Sequence, residues 1–126
     1  ACCLVGSEMC IRDSFWTLPA GFLENGESIE EGALRETMEE AKLQVSDVKL
    51  FTILSVPHIN QIYTFFTGKV VNDDFGPTPE SSEVELFKFE DIPWSELAFP
   101  TVIKTLKLFL EHGDDKVINE TLKPRV

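Results

Sequence analysis

The sequence predicts an α/β or α+β fold with a mixed β-sheet. Three observations predict it: segments rich in β-branched and aromatic residues alternate with amphipathic segments, a capping box marks a helix start, and turn-forming residues separate the segments. With 126 residues, the chain has room for one domain. Hydrophobic residues make up 43% of the chain and charged residues 26%, which is ordinary for a soluble globular protein.

The elements follow in chain order from these signals. Ser28 and Glu31 form the capping box that places a helix over 29–41, and Asn25-Gly26 places a turn before it. Strands are predicted over 15–18, where the strand ends at Pro19, over 48–56 and 61–71, which form an antiparallel pair, and over 83–89. The predicted loops span 22–28, 57–60 and 72–82. A helical turn over 91–94 and a helix over 101–110 complete the prediction.

The last predicted helix and the chain end carry two further expectations. Val102, Leu106, Phe109 and Leu110 fall on one face of the helix over 101–110, so we expect that face to be buried. The polar segment that begins at His112 is expected to fray.

The net charge of −11, from 22 acidic and 11 basic residues, bears on the partner. It disfavours duplex nucleic acid, because phosphate backbones are held by Lys and Arg. A phosphorylated small molecule is compatible with it when a metal cation bridges the two negative partners. No apolar run reaches membrane-spanning length and no secretory signal is visible, so we expect no membrane partner and a cytoplasmic location, or a plastid one in a plant.

The predicted helix over 29–41 carries a group of carboxylates on one face. With Glu36 at 0° and about 100° per residue, Glu39 lies near −60° and Glu40 near +40°. Leu34, Met38 and Ala41 fall on the opposite side, which we expect to be the buried face. Helix geometry alone leaves two interpretations open: a solvated acidic face, or a set of oxygen ligands for a hard divalent cation.

The spacing around this helix resembles a known signature. The matching positions are Gly21, Glu27 after five intervening residues, and Arg35-Glu36-Thr37-Met38-Glu39-Glu40 after seven more. Over residues 21–43, this pattern resembles the Nudix box. The resemblance implies a Nudix α/β/α sandwich and a pyrophosphohydrolase activity, with the Nudix domain over 15–126. One position departs from the family pattern, because Lys42 stands where a glycine would form a left-handed helix cap at less cost.

By position, the resemblance implies roles for individual residues. The ligands of Mg²⁺ or Mn²⁺ would be Glu36, Glu39 and Glu40, with the backbone carbonyl of Ala20. The bracing and catalytic residues it implies are Gly21, Glu27 and Arg35, of which the last two would form a pair that holds the loop against the helix. The alternatives are that Glu27 is an exposed loop acid and that Arg35 is only an i,i+4 partner of Glu39.

Family members often use another glutamate from outside the box, just before a strand. Glu83 matches that pattern best, and Glu80 and Glu85 are its competitors. The general base differs among relatives, so Glu39, Glu40 and Glu83 all stay candidates for accepting the proton of the attacking water.

The substrate expectations also come from resemblance. The sequence is similar to the branch of the family that hydrolyses ADP-ribose or FAD, and it lacks an SQPWPFP-like segment, which is associated with NADH pyrophosphatases. Pro57 stands near a proline of ADP-ribose pyrophosphatases, although a plain turn residue explains it equally well. Phe22 and Tyr63 are candidates for stacking on a nucleotide ring, with core positions as the alternative. The rival functions are a broad nucleoside-triphosphate or dinucleoside-polyphosphate pyrophosphatase and an inactive nucleotide-binding module. Relatives are commonly dimers, so a homodimer is a candidate assembly.

The first fourteen residues differ in character from the rest. Residues 3–14 (CLVGSEMCIRDS) resemble the translation of a sequencing-adapter read, and the resemblance to the enzyme family begins at Phe15. All three cysteines lie within this segment, in a spacing that fits neither a disulfide framework nor a zinc site. We therefore expect residues 1–14 to be foreign to the domain, with a divergent native strand as the alternative.

Overall fold

The computed structural model describes residues 2–5, 9–12, 16–17, 20–42, 44–71, 76, 83–86, 89–97, 99–113 and 116–123. Its elements in chain order are β1 (Cys2–Val5), β2 (Met9–Arg12), β3 (Trp16–Thr17), β4 (Ala20–Gly21), α1 (Ile29–Ala41), β5 (Val45–Val56), β6 (Gln61–Val70), β7 (Glu83–Leu86), α2 (Pro100–His112) and β8 (Ile118–Thr121). Short 3₁₀ turns occupy Pro57–Ile59, Phe89–Asp91 and Trp94–Glu96.

The described strands form two sheets. The larger sheet has the order β4-β1-β6-β5-β8 and the smaller one the order β3-β2-β7. In the larger sheet β1 is parallel to β6 and β8 is parallel to β5, whereas the β1–β4 and β5–β6 pairs are antiparallel. The predicted α/β class with a mixed sheet is therefore confirmed.

The two helices cover opposite faces of the larger sheet. Neighbouring residues of a strand point to opposite faces, and on β6 Phe65 and Phe66 do so. Phe65 belongs to the core cluster on the α2 face, together with Leu54, Ile92, Leu97, Val102 and Leu106. Phe66 packs with Ala33 of α1 in a smaller cluster. The layering is that of an α/β/α sandwich.

A register shift in β5 adapts the sheet to α2. The pairing with β6 slips between Leu50 and Thr52, so Phe51 is the extra residue of a bulge. The Phe51 ring meets the ring of Phe109 edge-to-face, with centroids 5.5 Å apart. The hydroxyl of Thr52 lies 3.4 Å from that of Thr105. The bulge thus turns two successive side chains of β5 towards α2.

Helix α1 begins and ends where the sequence predicts. The Glu31 backbone N–H donates to Ser28 Oγ at 3.1 Å, and the Ser28 N–H donates to Glu31 Oε1 at 3.0 Å, which completes the capping box. At the other end Lys42 adopts the left-handed conformation, with φ 55° and ψ 34°. A lysine therefore forms the cap that glycine would form at less cost.

The buried face of α1 differs from the predicted one. Ala41 is buried as expected, but Leu34 is only half-buried and Met38 is 42% exposed. The buried residues are small, namely Gly32, Ala33, Thr37 and Ala41. Small side chains let the helix lie close to the sheet, and their stripe is rotated towards the carboxylate face. Hydrophobicity alone therefore predicts the wrong buried face for α1.

Several boundaries also change. The strand predicted over 48–56 begins at Val45, and the strand predicted over 83–89 ends at Leu86 and is followed by a 3₁₀ turn. The helix predicted over 101–110 spans Pro100–His112, with Leu110 51% exposed, so Leu110 is not part of its buried face. The loop predicted over 72–82 lies outside the described residues except for Gly76.

The polar segment after α2 does not simply fray. Residues 118–121 form β8, which pairs with the edge of β5 in parallel. Lys104 of α2 forms an ion pair with Glu120 at 2.9 Å. The open edge of β5 supplies backbone partners that the sequence of the tail does not announce. In the described part of the chain, no helix has both the length and the apolar character needed to span a bilayer.

Candidate active site on helix α1

Arg35 is the centre of a polar network between α1 and the loop that precedes it. Its Nε donates to Glu27 Oε2 at 2.7 Å, and its Nη2 donates to Glu27 Oε1 at 3.1 Å. The same Nη2 donates to the backbone carbonyl of Phe22 at 3.0 Å. This two-pronged pairing uses the planar geometry of the guanidinium, which a lysine does not have. The loop and the helix are thereby held together at both ends of the loop.

The loop itself is closed by Glu27. Its Oε1 accepts from the backbone N–H of Glu24 at 2.8 Å, and its own N–H donates to the Glu24 carbonyl at 3.2 Å. Gly26 lies between them with φ +84°, a conformation that glycine adopts at little cost. Glu24 also lies 3.5 Å from Arg35 Nη1. Apart from the acidic character of Glu24, no sequence signal predicts this contribution.

Two of the three predicted carboxylates converge on one nitrogen. Arg35 Nη1 donates to Glu36 Oε1 at 2.6 Å and to Glu39 Oε2 at 3.1 Å. The Glu36 side chain is only 12% exposed and that of Glu39 is 43% exposed. Glu40 is half-buried on the same helix. Arg35 is thus both the i,i+4 partner of Glu39 and the partner of Glu27, so the two interpretations of Arg35 are compatible.

Gly21 is required by the position of the Glu36 carboxyl group. A Cβ built on Gly21 would lie 2.5 Å from Glu36 Oε2 and would overlap the rest of the carboxyl group. Any side chain at this position would therefore displace Glu36. Strand β4 and helix α1 approach each other so closely that the carboxylate rests against the Gly21 backbone.

The network shifts the pKa values of its members. The hydrogen bond from Arg35 lowers the pKa of Glu27, and the backbone hydrogen bond from Glu24 adds to the effect. The hydrogen bond to Glu27 raises the pKa of Arg35, with a further contribution from Glu36. The capping bonds from Ser28 lower the pKa of Glu31. The hydrogen bonds of the network and of the capping box therefore favour the charged forms of Glu27, Arg35 and Glu31.

The carboxylates of α1 have the chemistry that a hard divalent cation needs. Carboxylate oxygens are the ligands that Mg²⁺ and Mn²⁺ take, and the bare backbone at Gly21 leaves room for the Glu36 carboxyl group. Within the described residues, no three His, Cys, Asp or Glu side chains are already grouped around one point. Two of the carboxylates instead face the Arg35 charge, and the exposure of Glu39 leaves its side chain room to turn.

The other predicted site residues lie at different distances from this network. Ala20 is the first residue of β4, next to Gly21, so its backbone is adjacent to the carboxylates. Glu83 is the first residue of β7 in the smaller sheet, and the prediction for its side chain lies outside the described residues, as do Glu80 and the side chain of Glu85.

The three candidate substrate contacts lie in two regions of the structure. Phe22 is 72% exposed, in the loop next to the network. Pro57 is the first residue of an exposed 3₁₀ turn. Tyr63 packs against the core on the α2 face and stacks on Phe65, with centroids 6.5 Å apart. The structure therefore brings Phe22, but not Tyr63, to the side of the carboxylates.

Comparisons with known proteins give the family context. A family model described as the NUDIX domain matches residues 2–109. The chain is similar to a NUDIX hydrolase from Nitrosomonas europaea of known crystal structure, with 36% identity, a TM-score of 0.87 and coverage of 98% of this chain and 76% of that chain. An ADP-ribose pyrophosphatase from Streptococcus suis shares the fold at 17% identity, with a TM-score of 0.71 and coverage of 96% of each chain.

Curated relatives match a shorter part of the chain. The NAD-capped RNA hydrolase NudC of Edwardsiella ictaluri is 30% identical over 83 residues, which are 65% of this chain and 32% of that protein. The NudC of Escherichia coli strain K12 / DH10B matches over the same length at the same identity. The chain thus spans about a third of the length of these relatives.

Proposed function

Because the chain belongs to the Nudix family, we propose that it is an enzyme that hydrolyses the phosphoanhydride bond of a nucleoside diphosphate linked to another moiety, with ADP-ribose or FAD as preferred substrate. The observation that supports this proposal is the network in which Arg35 holds Glu27, Glu36 and Glu39 in one place on α1. A merely solvated acidic face would not need a loop tied back onto it, nor a glycine where the Glu36 carboxyl group rests.

In the proposed enzyme Glu36, Glu39 and Glu40 hold Mg²⁺ or Mn²⁺, together with the Ala20 carbonyl. When bound, the cation supplies charge neutralisation of the diphosphate and a lower pKa for the attacking water. To hold the cation, the Glu39 carboxylate would have to give up the hydrogen bond that it accepts from Arg35 Nη1.

The remaining chemistry belongs to the residues of the chain. Glu27 and Arg35 fix the loop against α1 and so keep the carboxylates in register with the Ala20 carbonyl. One of Glu39, Glu40 and Glu83 accepts the water proton while the water oxygen attacks one phosphorus. The bond from that phosphorus to the bridging oxygen breaks, and the second phosphate leaves. Phe22 and Pro57 are proposed to contact the substrate.

The substrate proposal concerns a chemical class. ADP-ribose and FAD both join ADP through its pyrophosphate to a second moiety, and NAD has the same construction. The NudC relatives are named as NAD-capped RNA hydrolases, and NAD belongs to this chemical class. The net charge of −11 disfavours duplex nucleic acid as a partner for this chain and is compatible with a small nucleotide held through a cation.

The decisive experiment is incubation with Mg²⁺ and a panel of ADP-ribose, FAD, NADH and dNTPs, followed by chromatography of the products. We expect AMP with ribose 5-phosphate from ADP-ribose, or AMP with FMN from FAD. Hydrolysis confined to dNTPs would favour the broad nucleoside-triphosphate pyrophosphatase. Binding of the panel without any hydrolysis would favour an inactive nucleotide-binding module. The candidate homodimer is checked in the same preparation by size-exclusion chromatography with light scattering.

A further inference from the structure

Glu24 is a third carboxylate that faces one nitrogen of Arg35. That nitrogen, Nη1, donates to Glu36 Oε1 at 2.6 Å and to Glu39 Oε2 at 3.1 Å, and these two bonds use both of its hydrogens. Glu24 Oε1 lies 3.5 Å from the same nitrogen, which is an ion-pair distance but longer than a good hydrogen bond. The Glu24 carboxylate is therefore held near Nη1 mainly by charge.

The backbone of Glu24 is fixed, whereas its side chain is exposed. The Glu24 N–H donates to Glu27 Oε1 at 2.8 Å, and the Glu24 carbonyl accepts from the Glu27 N–H at 3.2 Å. Glu27 is in turn held by Arg35 Nε at 2.7 Å. The Glu24 side chain is 65% exposed, compared with 12% for that of Glu36. The Glu24 carboxylate can therefore make the shift of about 0.5 Å that a hydrogen bond to Nη1 needs, with the loop backbone unchanged.

The release of Glu39 would leave Arg35 one partner short. To act as a cation ligand, the Glu39 carboxylate has to give up the hydrogen bond from Nη1. The Arg35 side chain is only 19% exposed, so water replaces the lost acceptor incompletely, and a charged donor without an acceptor is costly. Glu24 already lies 3.5 Å from that donor. The loop thus carries a replacement acceptor at the atom that loses one.

We propose that Glu24 is a positioning residue that takes over the Nη1 hydrogen bond of Arg35 when Glu39 turns to the cation. This inference rests on the proposed function, because it takes Glu39 as a cation ligand. Nη1 keeps its bond to Glu36 and exchanges Glu39 for Glu24. Arg35 therefore keeps two carboxylate acceptors on Nη1, and the loop stays tied to α1 while Glu39 moves. Glu24 raises the affinity for the cation without contacting it.

This exchange of partners differs from two simpler roles of an acidic side chain near a cation. As a direct ligand, or as a negative charge that attracts the cation from a distance, Glu24 would raise the affinity whether or not Arg35 is present. In the proposed exchange the effect of Glu24 passes through the Arg35 guanidinium. Removal of that guanidinium should therefore abolish the effect of Glu24 on cation binding, which a double-mutant cycle measures.

The test is a Mn²⁺ titration of the substrate-free chain, with the free ion measured by electron paramagnetic resonance. Glu24→Gln should weaken Mn²⁺ binding about fivefold, a modest factor because the Glu24–Arg35 pair is exposed on one side. The matched control Glu30→Gln removes the same charge from an exposed acid in the first turn of α1 and should leave the affinity within about twofold of the parent's. In the Arg35→Gln background, Glu24→Gln should cause no further loss.

The side chain of Arg35 gives a second readout, which does not require Arg35→Gln to fold. In ¹⁵N NMR spectra, Mg²⁺ should shift the Arg35 Nη1 signal little in the parent, where one carboxylate replaces another, and more in Glu24→Gln, where an amide oxygen replaces a carboxylate. Equal shifts in both proteins would overturn the proposal.

The outcomes separate this proposal from the proposed function. Equal Mn²⁺ affinity of Glu24→Gln and the parent would overturn the exchange of partners and leave the cation site standing. An undiminished loss in the Arg35→Gln background would also overturn it, in favour of a direct ligand or a distant charge. Unchanged affinity together with a lower melting temperature in EDTA would show that Glu24 only stabilises the loop. A parent that binds no Mn²⁺ would overturn the cation site and the exchange with it.

Discussion

Arg35 shows how one side chain can organise several acidic ones. Its guanidinium bonds to the carboxylates of Glu27, Glu36 and Glu39 and to one carbonyl, so acidic groups that would repel each other share one positive partner. Glu36 and Glu39 both accept a hydrogen bond from the same nitrogen, Arg35 Nη1, at 2.6 and 3.1 Å. The same contacts that stabilise the loop therefore prepare the proposed metal site.

At the residue scale, Glu40→Gln and Glu39→Gln should each lower turnover on the order of 100-fold or more, with the fold intact. Glutamine keeps the size of the side chain but not the charge that a bridging cation needs. Initial rates at saturating Mg²⁺ measure the effect, with Glu30→Gln, on the exposed first turn of α1, as the control. Near-normal rates in both variants would contradict the proposed site.

The lowered pKa of Glu27 makes a prediction about pH. A carboxyl group whose pKa is lower in the folded state contributes stability above its ordinary value of 4.5, and this contribution is lost as the pH falls through the lowered pKa. Between about pH 6 and about pH 3 the parent should therefore lose more of its free energy of unfolding than Glu27→Gln does. Urea unfolding at both pH values measures the difference, and equal losses would show that the Glu27–Arg35 pair contributes nothing.

At the element scale, α1 lies close to the sheet because its buried stripe is made of small residues. Ala33 and Ala41 are at most 1% exposed, and the buried Thr37 hydroxyl donates to the Ala33 carbonyl at 2.7 Å. Larger side chains on this stripe would lift the helix from β4 and move Glu36 away from Gly21. The packing of an element thus sets the geometry of individual carboxylates.

The C-terminal cap of α1 can be improved. Lys42 has φ 55°, which costs a residue with a Cβ roughly 1–2 kcal/mol. Lys42→Gly should raise the free energy of unfolding by about 1 kcal/mol, or the melting temperature by about 4 °C, after the entropy that glycine gains in the unfolded chain. Lys42→Ala is the control, since it removes the charge but keeps the Cβ. A gain of equal size in both variants would refute the conformational explanation.

At the scale of the whole molecule, acidic residues outnumber basic ones. The chain carries a net charge of −11, and the carboxylates of α1 have one arginine among them. A cation that binds the folded state only will stabilise it by mass action. The same chain should therefore respond to divalent metal even without substrate.

We expect millimolar Mg²⁺ or Mn²⁺ to raise the melting temperature, because it relieves repulsion among Glu36, Glu39 and Glu40. Glu40→Ala should reduce this rise more than Glu83→Ala does, if Glu83 acts mainly during turnover. Differential scanning fluorimetry with and without EDTA provides the measurement. A melting curve that is indifferent to both metals would argue against binding to the substrate-free protein.

Residues 1–14 contribute strands to both sheets. The segment provides β1, which lies between β4 and β6 in the larger sheet, and β2 of the smaller one. We propose that it is foreign to the domain, in which case strands evolved for these positions should pair and pack better. Replacing it with a family-type N-terminus should raise the melting temperature. Equal stability and equal activity of the two proteins would mean that residues 1–14 belong.

The sequence by itself determined what depends on short stretches of chain. The capping box set the start of α1 and Asn25-Gly26 set the turn, because backbone dihedral preferences and i,i+3 contacts are local. The pairing of Glu27 with Arg35 was implied only by the resemblance of their spacing to the Nudix box. Strand β6 was likewise readable from its β-branched and aromatic residues.

The tertiary structure alone decided what depends on distant partners. It placed Met38 at the surface and the small residues of α1 against the sheet, and it turned a polar tail into β8. Burial and edge pairing are properties of two surfaces that meet, so a segment far away in the chain decides whether a side chain is covered and whether a strand edge is paired.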